Sequence, residues 1–187
     1  MYFDLKIIAN EIQEEPMSKV GIFYGSSTGV TKSAADAIAK ELKKNSIDAD
    51  VQSAGDTDIS TITSYSGIIL GTSTWGMGDL QDDWEGLRKP LANSDLSGKT
   101  VALFGSGDQD GYPDTFVDGI GILYDAVSSA GANVVGSVST DGYNYDASLA
   151  ERDGEFVGLP IDEDNQADMT DERIKAWVAS ICESFAG

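Results

Sequence analysis

Five apolar runs recur along the chain, separated by segments whose apolar residues fall three and four apart. The runs are VGIFYG (20–25), DADVQS (48–53), GIILGT (67–72), TVALFGS (100–106) and NVVGSV (133–138). TKSAADAIAKELKKN, QDDWEGLRKPL and DTFVDGIGILYDAVSSAG lie between them, and DERIKAWVASICESF follows the last. This alternation of strand and helix predicts an α/β fold, a doubly wound parallel sheet of five strands with helices on both faces. Helix stops are read at Asn45 and Gly131. Trp84 falls within a helical pattern and is expected to pack in the core. The Ser/Thr/Asp-rich stretch at about 57–65 reads as a short helix or loop.

The fifth strand does not end cleanly. From Thr140 to Asp171 the chain carries many acids, one arginine and two apolar islands, 143–145 and 156–161. That length is too great for an ordinary connection. The expected arrangement is an insertion at about 139–155 that interrupts the fifth strand, with FVGLPI (156–161) resuming it. Residues 17–187 then form a single domain, and the acidic stretch 1–16 is an N-terminal extension outside the core.

Composition removes several kinds of chemistry. The chain has no histidine and a single cysteine, Cys182, so histidine-based triads, histidine-containing metal sites and disulfide frameworks are excluded. Cys182 sits at an apolar position of a helical pattern and reads as a buried structural thiol. A formal net charge of −20 opposes nucleic acid and anionic membranes and favours basic protein partners. No segment is long and apolar enough for stable membrane insertion, and the acidic start is unlike a secretory or transit peptide, so a cytoplasmic monomer is expected.

Three segments that follow the first, third and fourth strands carry the functional signal. GSSTGVT (25–31) joins a strand to a helix with four hydroxyl residues, two glycines and no base. Backbone N–H groups at a helix N-terminus, assisted by the hydroxyls of Ser26, Ser27, Thr28 and Thr31, can hold a phosphate without a cation. A nucleotide-binding P-loop is out of register, because Val30 and Thr31 separate Gly29 from Lys32. Gly25 to Gly29 also spells the G-x-S-x-G nucleophile elbow, but no histidine exists to act as base. The dinucleotide fingerprint is absent, which favours a mononucleotide.

TSTWGMGDLQDDW (72–84) and SGDQDGYPDTF (106–116) place Trp75 and Tyr112 in polar, glycine-containing loops directly after buried strands. Two such rings above one sheet edge suggest a planar ligand between them. Ser26-x-Thr28-Gly29-x-Thr31, Thr74-Trp75-Gly76, and Gly107-Asp108-Gln109 followed by Tyr112 together resemble the phosphate loop and two flavin loops of the flavodoxins. The resemblance covers residues 19–186, and the interrupted fifth strand resembles the long-chain subgroup.

That resemblance implies a flavodoxin-like strand order 2-1-3-4-5 and non-covalently bound FMN. Flavodoxins are themselves a standard instance of the rule that ligands bind where strand order reverses, so the rule adds no independent support. The implied cofactor-binding residues are Ser26, Ser27, Thr28, Gly29, Val30 and Thr31 around the phosphate, with Thr74 closing over it. Trp75 and Tyr112 would cover the ring faces, and Gly76, Met77, Ser106, Gly107, Asp108, Asp114 and Thr115 would line the rest. No residue is assigned a catalytic or metal-binding role. The peptide between Gly76 and Met77 is the one expected to turn over during the redox cycle.

The function implied is a low-potential electron carrier, not an enzyme with its own substrate. It would work between a reductase or photosystem and acceptor redox enzymes. Its partners would be basic faces of redox proteins, such as a ferredoxin/flavodoxin-NADP reductase or photosystem I. Asp79, Asp82, Asp83, Asp108, Asp110 and Asp114 are expected near the flavin. At about 10 Å and an effective dielectric of about 40, each would disfavour an added negative charge by roughly 0.8 kcal/mol. The alternatives are an FMN-dependent NAD(P)H:quinone reductase of the same superfamily and a flavin-free interaction domain.

Overall fold

The computed structural model describes residues 20–186. The expected extension at 1–16 lies outside them. In chain order the elements begin β1 (Val20–Gly25), α1 (Val30–Lys44), β2 (Ala49–Ser53), α2 (Ile59–Thr63), β3 (Gly67–Trp75) and β4 (Asp79–Leu80). They continue α3 (Glu85–Ala92), β5 (Thr100–Ser106), α4 (Asp118–Ser129), β6 (Asn133–Val135), β7 (Val138–Ser139), β8 (Glu151–Arg152), β9 (Glu155–Phe156), β10 (Leu159–Ile161) and α5 (Thr170–Phe185).

The central parallel sheet runs β2-β1-β3-β5 and then β10, with β6 also paired to β5. This is the expected order, with β5 as the fourth strand. The fifth position is filled end to end by two short segments. Residues 133–135 of β6 pair with 100–102 of β5, and residues 159–161 of β10 pair with 104–106.

The interruption has a local cause. Gly136 takes φ 87, a left-handed conformation that ends the extended run, and a Cβ there would lie 2.7 Å from Trp177 Nε1. Trp177 Nε1 donates to the Gly136 carbonyl at 2.8 Å, which fixes the departure. The excursion carries a separate antiparallel sheet, order β7-β9-β8. Pairing within it begins at Val138, one residue before the expected start.

Because the strands are covered on both faces, alternate residues of one strand enter different cores. Ile68, Leu70, Val101 and Leu103 pack with Trp84, Leu91, Ile120 and Leu123 of the α3–α4 side. Ile69, Ala102 and Phe104 pack with Ile38 and Leu42 of α1 and with Trp177, Val178 and Ile181 of α5. Trp84 is fully buried and donates from Nε1 to the Gly71 carbonyl at 3.0 Å, so its core placement holds. Cys182 is half-buried against the α1–α5 core, and burial pushes its thiol upward from the usual range. No helix among the described residues is long and apolar enough to cross a membrane.

Helix ends follow the expected stops with one difference. After α4, Gly131 at φ 83 donates to the Ser128 carbonyl, and Ala132 donates to Val127. After α1 the same paired bonds form, but Ser46, not Asn45, carries the positive φ of 63. The segment expected as one helix over 114–131 divides into a 3-10 turn, Pro113–Thr115, and α4. Val117 between them is left-handed at φ 49. The insertion causes the division: Phe116 N donates to the Ala147 carbonyl at 3.3 Å, and Ser148 Oγ donates to the Phe116 carbonyl at 2.5 Å.

Replacing Ser46 by Gly removes a side chain from a left-handed position and is expected to stabilise the fold by about 0.5–1 kcal/mol, read as a higher urea midpoint. Within the insertion, Tyr143 donates to the Pro160 carbonyl and Tyr145 to Glu151. Burial pushes both phenols up to about 12. Since the folded values lie above the ordinary one, the stability linked to them is complete below pH 10 and is lost as pH rises through about 12. An ultraviolet titration should show Tyr143 and Tyr145 ionising late, with one late component lost in Tyr143→Phe.

Candidate functional site

Parallel register brings the three signal-bearing loops together. Gly25 at the end of β1 pairs with Thr72 of β3, Ser73 of β3 pairs with Ser106 at the end of β5, and Ser106 also pairs with Ile161 of β10. The strand order reverses between β1 and β3, so the chain leaves the sheet on either side of one crevice.

That crevice is a cleft of about 200 Å³ lined by Thr28 and Val30 from the first loop and by Ser73, Thr74, Trp75 and Gly76 from the second. Ser106, Gly107, Asp108 and Tyr112 close it from the third, and Glu163 and Asp164 from the segment after β10. Trp75 is 41% exposed and Tyr112 57%, large apolar surfaces left open to water. Covering either face would contribute on the order of 1 kcal/mol. A second groove of about 460 Å³ runs on between α1 and α5 and shares Thr28, Val30 and Glu163 with the cleft. A larger groove of about 850 Å³, between α3 and α4, contains none of the expected cofactor-binding residues.

The first loop offers donors without a cation. Gly29, at φ 95, is the residue before α1. N–H groups in the first turn of a helix have no intrahelical acceptor, so those of Val30, Thr31 and Lys32 face the loop. Ser26 Oγ accepts from Gly29 N at 3.1 Å, and Ser27 Oγ accepts from Gln81 Nε2 at 3.3 Å. Thr31 is buried, with its hydroxyl 3.0 Å from that of Ser106.

The second loop is a hairpin between β3 and β4. Gly78 N donates to the Trp75 carbonyl at 3.0 Å, with Gly76 at φ 53 and Gly78 at φ 100. Only glycine takes these angles without strain. Trp75 Nε1 donates to Ser73 Oγ at 2.8 Å, which orients the indole, and Thr74 Oγ1 accepts from Gly119 N at 3.0 Å. Met77 stands at the tip, 91% exposed and outside the cleft lining.

The third loop is braced on both sides. Asp108 Oδ1 accepts from Asp110 N, Gly111 N and Asn165 Nδ2. These bonds, led by that from Gly111, hold its carboxyl below the usual carboxylate range. Asn165 Nδ2 also lies 3.0 Å from both oxygens of the fully buried Asp162, which accepts from Gln109 N as well. The insertion supports the other flank. Asp146 N and Ala147 N both donate to the Pro113 carbonyl, and Asn144 N donates to Gln109 Oε1 at 2.7 Å. Asp114 lies in the 3-10 turn, and Thr115 sits against Gly78 of the hairpin.

A flavodoxin family model matches residues 22–177. The chain belongs to the flavodoxin family. Among its relatives, a flavodoxin of Nostoc sp. is 49% identical over 168 residues, spanning 89% of this chain and 97% of that protein. Flavodoxin 1 of Azotobacter vinelandii is 45% identical over 171 residues, 90% of this chain and 98% of its own. The crystal structure of Fusobacterium nucleatum flavodoxin bound to flavin mononucleotide has a TM-score of 0.85 at 36% identity, covering 90% of this chain and 99% of that one.

In this flavodoxin the carboxylates are distributed differently from the expectation. Of the six aspartates expected near the ligand, only Asp108 lines the cleft, whereas Asp79 and Asp82 face the α3–α4 groove beside Arg88 and Lys89. Glu163 and Asp164 were not anticipated, and neither was Ser73. Their signal is positional: β10 ends level with Ser106, so the residues that follow it must emerge at the same edge. Among the described residues, none that lines the cleft is basic.

Asn165→Ala would deprive Asp162 and Asp108 of a shared donor, and the expected cost is about 2 kcal/mol in denaturant unfolding. Asp108 contributes stability that is present above the ordinary carboxylate value of 3.8 and is lost as pH falls below it. The variant should therefore lose less stability on acidification than the parent.

Proposed function

We propose that this flavodoxin carries single electrons on one non-covalently bound FMN. The observation that carries the reading is a cleft flanked by two half-exposed rings that runs into the first turn of α1, where the one base, Lys32, is paired with Asp36 and lines neither the cleft nor the groove beside it. Its donor set suits a phosphate monoester: unpaired helix N–H groups, hydroxyls and glycine, with no basic side chain to make a fixed ion pair.

Ser26, Ser27, Thr28, Gly29, Val30 and Thr31 would hold the phosphate. Trp75 and Tyr112 would stack on the ring, which gives both rings the apolar cover they lack. Thr74 is already oriented by Gly119 and would close the phosphate end. Ser106, Gly107 and Asp108 would line the ring edge, with Asp114 and Thr115 supporting their loop. When bound, FMN supplies the electron chemistry, and the chain adjusts it by favouring one charge state over another. Asp108, Glu163 and Asp164 would disfavour negative charge in the cleft and so make the bound cofactor a stronger reductant. Gly76, already at positive φ, leaves the Gly76–Met77 peptide free to turn at little cost.

The exposed edge beside Met77 and Tyr112 is where electrons would leave, and a net charge of −20 would steer the protein to basic faces of redox partners. A ferredoxin/flavodoxin-NADP reductase or photosystem I has the required chemistry. The expected preparation is coloured, releases FMN on denaturation, and is reduced in two resolved one-electron steps at low potential. Electron exchange with a basic partner should slow as salt is raised. A colourless protein that ignores added FMN overturns the proposal, and unaided turnover of NAD(P)H with quinone would replace it with the reductase reading.

A further inference from the structure

Among the described residues, Gln81 is the buried amide that connects the ring hairpin to the anion loop. It directly follows β4, is 3% exposed, and lies over the end of β1. A Cβ at Gly25 would come within 2.2 Å of Gln81 Oε1 and 2.8 Å of Trp84 Cδ1, so glycine at that position is what admits the amide. Trp84, fixed through Gly71, closes the space from the other side.

The orientation of the amide is dictated by its neighbours. Asp83 N donates to Oε1 at 2.9 Å, and an amide turned the other way would set two donors against each other. Nε2 must therefore face Ser27, whose Oγ it approaches at 3.3 Å. An amide NH₂ can only donate. Ser27 Oγ is then an acceptor toward Gln81, and its own proton points elsewhere. Ser26 is treated alike, since its Oγ accepts from Gly29 N. In a loop without a cation, a hydroxyl helps an anion only if its proton is turned outward.

We propose that Gln81 is a positioning residue that sets the direction of the Ser27 hydroxyl, so that its proton is presented to the anion held by the α1 loop. The inference rests on reading that loop as the phosphate site. It deepens that reading by making selectivity for a phosphorylated flavin depend on a residue outside the loop. Gln81→Leu removes the donor and frees Ser27 to rotate. Gln81→Glu is more severe, because one carboxylate oxygen can keep the Asp83 bond while the other accepts the Ser27 proton and draws it inward. The added charge also repels phosphate.

The test is a titration of apoprotein with FMN and, separately, with riboflavin, which has the ring but no phosphate, followed by quenching of flavin fluorescence. Gln81→Leu is expected to weaken FMN about tenfold, and Gln81→Glu about a hundredfold, with riboflavin affinity unchanged within about twofold. Ser27→Ala changes an exposed side chain and should match Gln81→Leu. The double variant Gln81→Leu/Ser27→Ala should be no weaker than Ser27→Ala alone. Equal losses of FMN and riboflavin, or additive losses in the double variant, overturn the role of Gln81 and leave the phosphate site standing. Failure of the parent apoprotein to prefer FMN over riboflavin overturns both.

Discussion

Lateral pairing at the carboxyl ends of β1, β3 and β5 is the constraint from which the rest follows. These strands are buried on both faces, so their register is fixed by interleaved side chains as well as by hydrogen bonds. A shift of one residue would exchange Ile68 and Leu70 with Ile69 between the two cores. The same register sets Gly25 beside Thr72 and Ser73 beside Ser106. Loops that are far apart in sequence thus start from neighbouring points on a rigid edge. Their contents could vary widely without the crevice moving.

On that edge each loop is held by a different device. The first has helix geometry and the amide of Gln81. The second has a glycine hairpin braced by the start of α4. The third depends on groups from well beyond itself, with Asp162 and Asn165 on one side and the insertion on the other. The insertion therefore supports the loop that carries Tyr112, through Pro113 and Gln109. Phe116, Tyr143, Tyr145 and Phe156 pack edge to face and tilted beneath it, with centroids 5.1–6.0 Å apart. Arg173 of α5 lies 4.0 Å over the Tyr143 ring and joins this cluster to the body of the protein.

Much of this was legible in the sequence because the relevant signals are local. Apolar runs and helical spacing located the strands and helices, and three hydroxyls before α1 and one in its first turn, together with Trp75 and Tyr112, pointed to the crevice. What escaped depends on contacts distant in sequence. The segment around Val117 has helical spacing, yet a backbone bond from Phe116 to Ala147 and a bond from the Ser148 hydroxyl to the Phe116 carbonyl divide it. The strands β7, β8 and β9 have two residues each, too few to show an alternating pattern. Carboxylates on the second loop were expected at the cleft because they are near Trp75 in sequence. The hairpin turns Asp79 and Asp82 to the opposite side, and the end of β10 supplies Glu163 and Asp164 instead.

The divided fifth strand has a consequence for how copies of the molecule behave toward one another. The outer edge of an open sheet presents unpaired N–H and C=O groups that another chain can extend. Here that edge is made of two pieces of three residues each, separated where the chain departs at Gly136. The second piece has Pro160 at its centre, a residue with no N–H to offer. No continuous row of donors remains along this side, so the break that accommodates the insertion also guards the sheet against growing by addition of a foreign strand.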